Sequence, residues 1–432
     1  MSKLKELIDR LCPNGVPFRP LWELTIWDKK FNGVDKKKQP KIISYPYLLA
    51  KDMKALEQED GDVTLLSTGE YIGHTTEELA GSYLCEGEVV TIPWGGTVKG
   101  MKYFKGKFVT ADNRIATSSN TSILNNKFLY YIFLQQADII QSFYRGAGIQ
   151  HPNMNDVLHM MIPVPPIEVQ EEIVRILETF SAHAAELQAE LQARKEQYDY
   201  YRNLLLTFNP SGCAFGADDE QENIVTTWGG VSYEINWKPM GEIGTFIRGN
   251  GLQKKDFTES GVGCIHYGQV YTYYGTFANK TISFVAPELA SKLLQINPGD
   301  IVLACTSENV EDVGKAVAWL GPDIIVTGGH SVVYRHNLNP KYVAYFLQTD
   351  CFFTQKKKYA FGAKVIDIKT TDLAKIIIPV PPLELQNKIV AILDRFEALV
   401  NDFTQGLPAE IAAVKEQYEY YRNKLLTFKR IA

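Results

Sequence analysis

A fourteen-residue block is written twice in this chain, and the duplication constrains its fold more than any other feature. KEQYDYYRNLLLTF at 195–208 returns as KEQYEYYRNKLLTF at 415–428, with twelve of the fourteen positions identical. A second block, IPVPPIEVQ at 162–170, returns as IPVPPLELQ at 378–386. The offsets are 220 and 216, so the second copy holds four more residues between its blocks. Internal repetition is read before local pattern because it sets the plan of the molecule. Weaker echoes lie upstream. Phe18-Arg19-Pro20-Leu21 resembles Trp237-Lys238-Pro239-Met240, and residues 109–113 fall against 326–330.

Between the duplicated blocks apolar residues step by four and three, the mark of a helical seam. In the first copy the seam runs through Ile173, Leu177, Phe180, Ala184, Leu187, Leu191, Tyr198, Tyr201, Leu205 and Phe208, broken only by Arg194. The second runs through Ile389, Leu393, Phe396, Val400, Phe403 and Leu407, then resumes at Ile411, Val414, Tyr418, Tyr421, Leu425 and Phe428. Four added residues are a stutter that a coiled coil tolerates, and Gly406 and Pro408 mark a kink there. Each helix spans about 60 Å at 1.5 Å per residue. So narrow a stripe is not buried alone, and the economical solution pairs the two helices antiparallel. The plan is an N-terminal segment (1–17), a globular domain (18–161), a long helix (162–208), a second globular domain (209–377) and a second long helix (378–432). Pro13-Asn14-Gly15 echoes Pro210-Ser211-Gly212, which closes the arrangement into a pseudo-twofold repeat. Short strands at 88–93, 300–304 and 324–327 among glycine turns and helical stretches give each globular domain a mixed α/β class.

At 45% apolar and 22% charged, 432 residues suffice for several folded cores. No apolar run reaches the roughly 18 residues of a membrane span, and the opening MSKLKELIDRLCPNG has charges where a signal peptide is apolar. A cytoplasmic protein with no membrane contact is expected. Cysteines 12, 85, 213, 264, 305 and 351 form no CxxC pair or cysteine–histidine group, so reduced packing thiols and no metal site are expected. The net charge of -5 is unhelpful to a nucleic-acid binder. By segment, residues 18–160 carry 16 basic and 16 acidic side chains, 161–208 carry 4 and 8, and 209–376 carry 15 and 17. Any DNA-binding surface must come from local clusters, and charge alone favours a protein-binding scaffold.

Two differing globular domains alternating with two near-identical helices, the IPVPP entry and the KEQY-x-YYRN-x-LLTF exit resemble the specificity subunits of type I restriction-modification systems. The resemblance covers almost the whole chain. It implies that each globular part is a target recognition domain reading one half of a bipartite sequence in double-stranded DNA. It also implies that the paired helices set the spacer and dock two methyltransferase subunits, with restriction subunits outside. No catalytic residue is then needed here, and S-adenosylmethionine, ATP and Mg are expected only on partner subunits. The repeat agrees, since domains that read different half-sites diverge while surfaces that hold one partner twice do not. Tyr200, Arg202, Tyr420 and Arg422 are the partner-binding candidates, because three consecutive positions of a helix cannot all face one seam and tyrosine and arginine are enriched at interfaces.

In the first domain the candidate DNA contacts are Trp94, Lys99, Lys102, Lys105, Asn113 and Arg114, with Arg114 as a guanine reader or phosphate clamp and the lysines on phosphates. In the second they are Tyr267, Gln269, Tyr273, Ser307, Lys315, His330, Lys356, Lys357, Lys358 and Lys364, Gln269 matching an adenine edge. A packed strand is the plain alternative for the tyrosines, and a solvated face for the lysine run. Competing functions are a scaffold that binds only proteins, a methyltransferase, or a nuclease. The methyltransferase reading lacks a second proline at Asn339-Pro340-Lys341-Tyr342 and a glycine-rich cofactor loop. Asp323 with Asp367 and Lys369 imitates a nuclease site, but the repeat counterpart of Asp367 is His151.

Overall fold

The computed structural model describes residues 2–208, 224–402 and 404–431. They fall into two units, Met1–Leu187 with Ile411–Ala432, and Gln188–Glu410. The units differ from the sequence-drawn boundaries because the long helix Ile167–Thr207 gives a stretch to each. Pro210, Ser211, Gly212, Cys213 and Phe403 lie outside the described residues.

In the first unit a six-stranded sheet has the order Thr25–Trp27, Asn113–Ser118, Cys85–Pro93, Lys102–Thr110, Val63–Leu66, Ile72–Thr75. Its centre is the long hairpin in which Val89 faces Phe104 and Glu88 faces Lys105. Val89, Val90, Ile92, Phe108 and Val109 are fully buried, as β-branched and aromatic residues between packed layers should be. The helix Asn126–Gln135 covers one face with Phe128, Leu129, Ile132 and Phe133. In the second unit the main sheet is five-stranded, Gly244–Arg248, Ser331–His336, Ile301–Ala304, Ala316–Trp319, Phe277–Ala278, beside a four-stranded sheet containing Val262–Ile265 and Ile325–Thr327.

The faint upstream echo proves to be structural. Phe18–Pro20 pairs antiparallel with Met161–Pro163, Phe18 opposite Pro163, and Trp237 stands opposite Pro379 in the second unit. A four-residue helix follows each, Leu21–Leu24 and Met240–Ile243. The other echo is one residue out of register, since Asn113–Ser118 answers to Ser331–His336 and Asn113 therefore to Ser331, not His330.

Both units contain antiparallel helix pairing. In the first, Phe180 stacks on Tyr421 at 5.3 Å between ring centroids; in the second, Tyr201 stacks on Phe396 at 5.6 Å. The seam buries Ile173, Leu177, Leu187, Leu191 and Tyr198, then drifts by one so that Leu206 is buried and Leu205 is not. The second helix is interrupted as its glycine and proline suggest, into Leu383–Asn401 and Leu407–Leu425. Asp402 closes the break by accepting from the Thr404 and Gln405 amides. A Cβ on Gly406 would sit 2.5 Å from the Ala398 carbonyl, so no larger residue fits.

The segment from Leu4 to Val16 packs on the end of the second helix and the residues just after it. The Val16 amide donates to the Lys429 carbonyl at 2.8 Å and the Ile431 amide returns to Val16 at 3.0 Å. Gly15, at φ 107°, lies so close to that strand that a Cβ would fall 2.4 Å from the Lys429 oxygen. The helix Ser2–Leu11 is tied down by Lys3 to the buried Glu172 at 2.9 Å. Cys12, Cys85, Cys264 and Cys305 are buried free thiols, whereas Cys351 is disulfide-bonded, a departure from the all-thiol expectation. Among the described residues no helix is long and apolar enough to cross a membrane.

The hydrogen bond from Arg175, helped by Lys3, draws the Glu172 carboxyl down to about 2. A carboxyl lowered by folding stabilises fully above its unfolded range near 4.5 and loses that contribution as pH falls toward 2. Glu172→Gln should therefore lower thermal stability at pH 7, by about 1–2 kcal/mol, with the gap from wild type closing toward pH 2. Calorimetric melts across pH measure this.

Candidate nucleic-acid interface

Each domain carries an open groove at one end of its central strands. In the first domain it is lined by Lys29, Lys30, Tyr47, Trp94, Arg114 and Asn153 among others. Arg114 is the second residue of the strand that follows the bend at Asp112 and is only 4% exposed in its side chain. Its guanidinium lies over the Trp94 ring at 4.0 Å and pairs with Asp112 at 2.8 Å and Asp28 at 3.4 Å. Asp28 also accepts from the Ile115 amide, yet burial is the largest influence on it and raises its pKa. Arg114 is thus a clamp holding Trp94, and its guanidinium is already committed within the domain. Trp94 also stacks with His151, at 4.8 Å between rings.

Two further first-domain candidates serve the fold. Lys102 donates to the Ser67 and Gly100 carbonyls at 2.9 and 3.2 Å and to that of Gly69; burial lowers its pKa to about 8. It gathers the 67–70 turn onto the sheet. Asn113, 3% exposed, donates to the Leu66 carbonyl at 2.9 Å. Lys99 is exposed, and so is Lys105, whose ammonium stands 3.4 Å from Glu88.

In the second domain the groove is lined by Tyr267, Tyr271, Ser307, Asn309, His330 and Val365, among others. Tyr267 begins a helix, Tyr267–Thr272, not a strand. Gln269 is its capping partner: Oε1 accepts from the His266 amide at 2.9 Å and Nε2 donates to the Ser283 hydroxyl at 2.6 Å, which leaves no adenine-reading face. Tyr271 is fixed by donating to the Thr306 carbonyl at 2.6 Å. His330 is exposed, held at φ 67°, with its ring 5.1 Å from Tyr267. A non-glycine residue in the left-handed region stores strain that functional sites tolerate. Lys315 reaches the Tyr271 carbonyl at 3.2 Å, and Tyr273 is 62% exposed.

The lysine run divides. Lys356 is 4% exposed and donates to the Glu311 and Val313 carbonyls at 2.7 and 2.6 Å, with its pKa lowered by burial to about 8. It holds a loop, as Lys102 does in the other domain. Lys357, Lys358 and Lys364 are exposed. Asp367, the supposed nuclease carboxylate, is gripped by both terminal nitrogens of Arg248 at 3.2 and 2.7 Å. Among the described residues no group of three or more histidines, cysteines and carboxylates gathers to hold a metal ion. Lys29, Asp28, Tyr47 and Arg248 escaped the sequence reading because no repeat or motif marks them.

On the helices Tyr200 and Tyr420 are each 57% exposed. Arg202 instead lies over Tyr198 at 5.0 Å, paired with Asp199 at 2.8 Å, and Arg422 lies over Tyr418 at 5.5 Å. The Nε of both arginines is buried without a partner. The outward pair consists of tyrosines, and the arginines pack inward.

Two α/β domains of one plan with unlike grooves, each borne on helix segments of like sequence, define a two-headed recognition protein. Residues 41–196 and 234–413 match the family model of the type I restriction modification DNA specificity domain, and the chain belongs to that family. It is a DNA-recognition subunit and not an enzyme. It is 26% identical over 427 residues to the EcoR124I/EcoR124II type I restriction enzyme specificity subunit of Escherichia coli, covering 94% of this chain and 98% of that one. A putative specificity subunit of Haemophilus influenzae is 28% identical, over 83% of this chain and 87% of its own. The S subunit of M. genitalium shares the fold, with a TM-score of 0.53 at 16% identity over 95% of this chain and 96% of that one.

Arg114→Ala should lower the melting temperature of the first domain, because it leaves the buried Asp28 with only the Ile115 amide and Lys29 at 3.7 Å and frees Trp94; the loss should reach about 2–3 kcal/mol. Lys105→Ala should leave the melt unchanged. Thermal denaturation of the two variants side by side checks the clamp.

Proposed function

We propose that each domain reads one half of a bipartite duplex DNA sequence through its groove, while the helices set the spacer and dock two methyltransferase subunits. The carrying observation is a contrast. The grooves share a position but not a chemistry, Lys29, Tyr47 and Trp94 in one and Tyr267, Ser307 and His330 in the other, whereas the tyrosines on the helices are duplicated at equal exposure. Reading two different half-sites asks for the first, and holding one partner twice asks for the second. In this reading Trp94, Lys99, Lys105, Tyr267, Tyr273, Ser307, Lys315, His330, Lys357, Lys358 and Lys364 meet DNA. Lys102, Asn113, Arg114, Gln269 and Lys356 shape the surface from beneath. Restriction subunits join outside, S-adenosylmethionine, ATP and Mg belong to the partner subunits, and the complex works in the cytoplasm.

Exchanging residues 18–161 for the matching domain of a relative should change one half of the methylated sequence and leave the other half intact. Methylation mapping that finds both halves altered would sink the proposal. The double variant Tyr200→Glu, Tyr420→Glu should weaken assembly with the methyltransferase by about 2 kcal/mol or more and keep the wild-type melting temperature. Arg202→Glu with Arg422→Glu should lower the melting temperature instead, since those guanidiniums pack inward. Pull-down titration and thermal melts separate the two effects.

A further inference from the structure

Residues 145–151 of the first domain and 361–367 of the second form the same small finger. Arg145 pairs with His151 across its base in one, and Phe361 with Asp367 in the other. Each turn starts at a glycine with positive φ, Gly146 at 137° and Gly362 at 125°. A Cβ there would lie 2.9 Å from the Ile149 oxygen or 2.0 Å from the Val365 oxygen, so only glycine makes the turn. Residues 146–150 and 361–365 are all exposed.

The roots of the two fingers share no chemistry. His151 stacks on Trp94 and Gly96 donates to the Gln150 carbonyl at 3.1 Å, while in the second domain Ile366 and Asp367 pair with Ser307 and Thr306 and Arg248 grips Asp367. The tips nevertheless agree. Three residues past the glycine each presents one large aliphatic side chain to solvent, Ile149 at 72% and Val365 at 59% exposure. Single exposed aliphatics are ordinary, and Leu49 is as exposed as Val365. What sets these two apart is recurrence at one step of one glycine-started turn, next to Trp94 of the first groove and lining the second, with cations on the same finger. A Cβ on Gly95 would lie 2.9 Å from Ile149 Cγ2, and Val365 lines the groove with Tyr267 and His330. Arg145, 63% exposed in its side chain, stands at the base of the first finger with Asp156 at 3.9 Å; Lys364 sits within the second finger, and Lys369 lies over Phe361 at 5.1 Å.

We propose that this finger is the element each domain inserts into a DNA groove, with Ile149 and Val365 as apolar contacts to base edges and the neighbouring cations on phosphates. The proposal rests on the half-site reading above. Duplex DNA fits because an apolar contact to a base edge carries sequence information, a cation beside it fixes register, and both are present twice.

The test uses the complex assembled with methyltransferase subunits, comparing wild type, Ile149→Ser, Ile149→Val and Val365→Ser on the mapped target and on a random duplex. Each serine variant should lose about tenfold in affinity for the target and nothing on random duplex. Sequence preference should relax at one or two positions in one half only, a different half for each variant, while Ile149→Val stays close to wild type. If wild type selects its sequence and the serine variants do so equally well, the finger is not a reader although the half-site reading stands. Lost assembly with methyltransferase at unchanged melting temperature also overturns it, making the finger a protein contact. A wild-type complex that prefers no sequence removes the half-site reading itself.

Discussion

One buried glutamine at the foot of each long helix fastens its recognition domain. The Gln170 Oε1 accepts from the Asn125 amide at 2.9 Å while its Nε2 donates to the Pro165 and Ile123 carbonyls, each at 2.7 Å. Gln386 repeats this, accepting from the Asn339 amide and donating to the Pro381 carbonyl, both at 2.8 Å. Asn125 and Asn339 in turn cap the next helix of their domains through their side chains. One carboxamide thereby joins the proline turn, the long helix and the domain. In a dry setting every one of those donors and acceptors would be costly to leave unmade. A second tie repeats beside it, Lys127 to Glu178 in one domain and Lys341 to Asp394 in the other. The direction of each domain relative to its own stretch of helix follows from these few contacts.

The sequence was most legible where it repeats. The alternation of domains and helices follows from duplicated text, and the break at Gly406 from the four added residues with their glycine and proline, whereas the strand role of Phe18–Pro20 and the contact of Val16 with Lys429 came only with the structure. The sequence was least legible for single polar residues. Arg114, Gln269, Lys102 and Lys356 are residue types that read DNA, yet local geometry turned each toward a carboxylate, an amide or a carbonyl of its own domain. Residue type names a capacity, and only the neighbours brought in from distant segments, such as Asp28 beside Arg114, decide how it is used. Tyr200 and Arg202 make the same point within one helical turn, since two residues of separation carry one outward and the other against Tyr198.

The net charge says little about where charge is free to act. Many carboxylates are paired locally, Asp28 and Asp112 with Arg114 and Lys29, Asp367 with Arg248, Glu172 with Arg175, Asp300 with Arg335. A total over the chain counts these compensated charges equally with the exposed Lys357, Lys358 and Lys364. What an approaching polyanion meets is a local field, because surface charges farther apart than about 10 Å are largely screened at ordinary salt.

The first unit draws its core from both ends of the chain. Leu4 and Val16 share one apolar cluster with Ile173, Leu177, Leu425 and Leu426, so its last contacts close a loop of some four hundred residues. The second unit, Gln188–Glu410, is contiguous. A chain emerging from a ribosome can therefore complete the later unit before the earlier one, reversing the usual N-terminal-first order. Until the segment from Ile411 onward is made, the first unit keeps an unfilled apolar stripe along Ile173 and Leu177. The residues that fill that stripe are thus made only after the whole of the second unit, although the stripe itself precedes it.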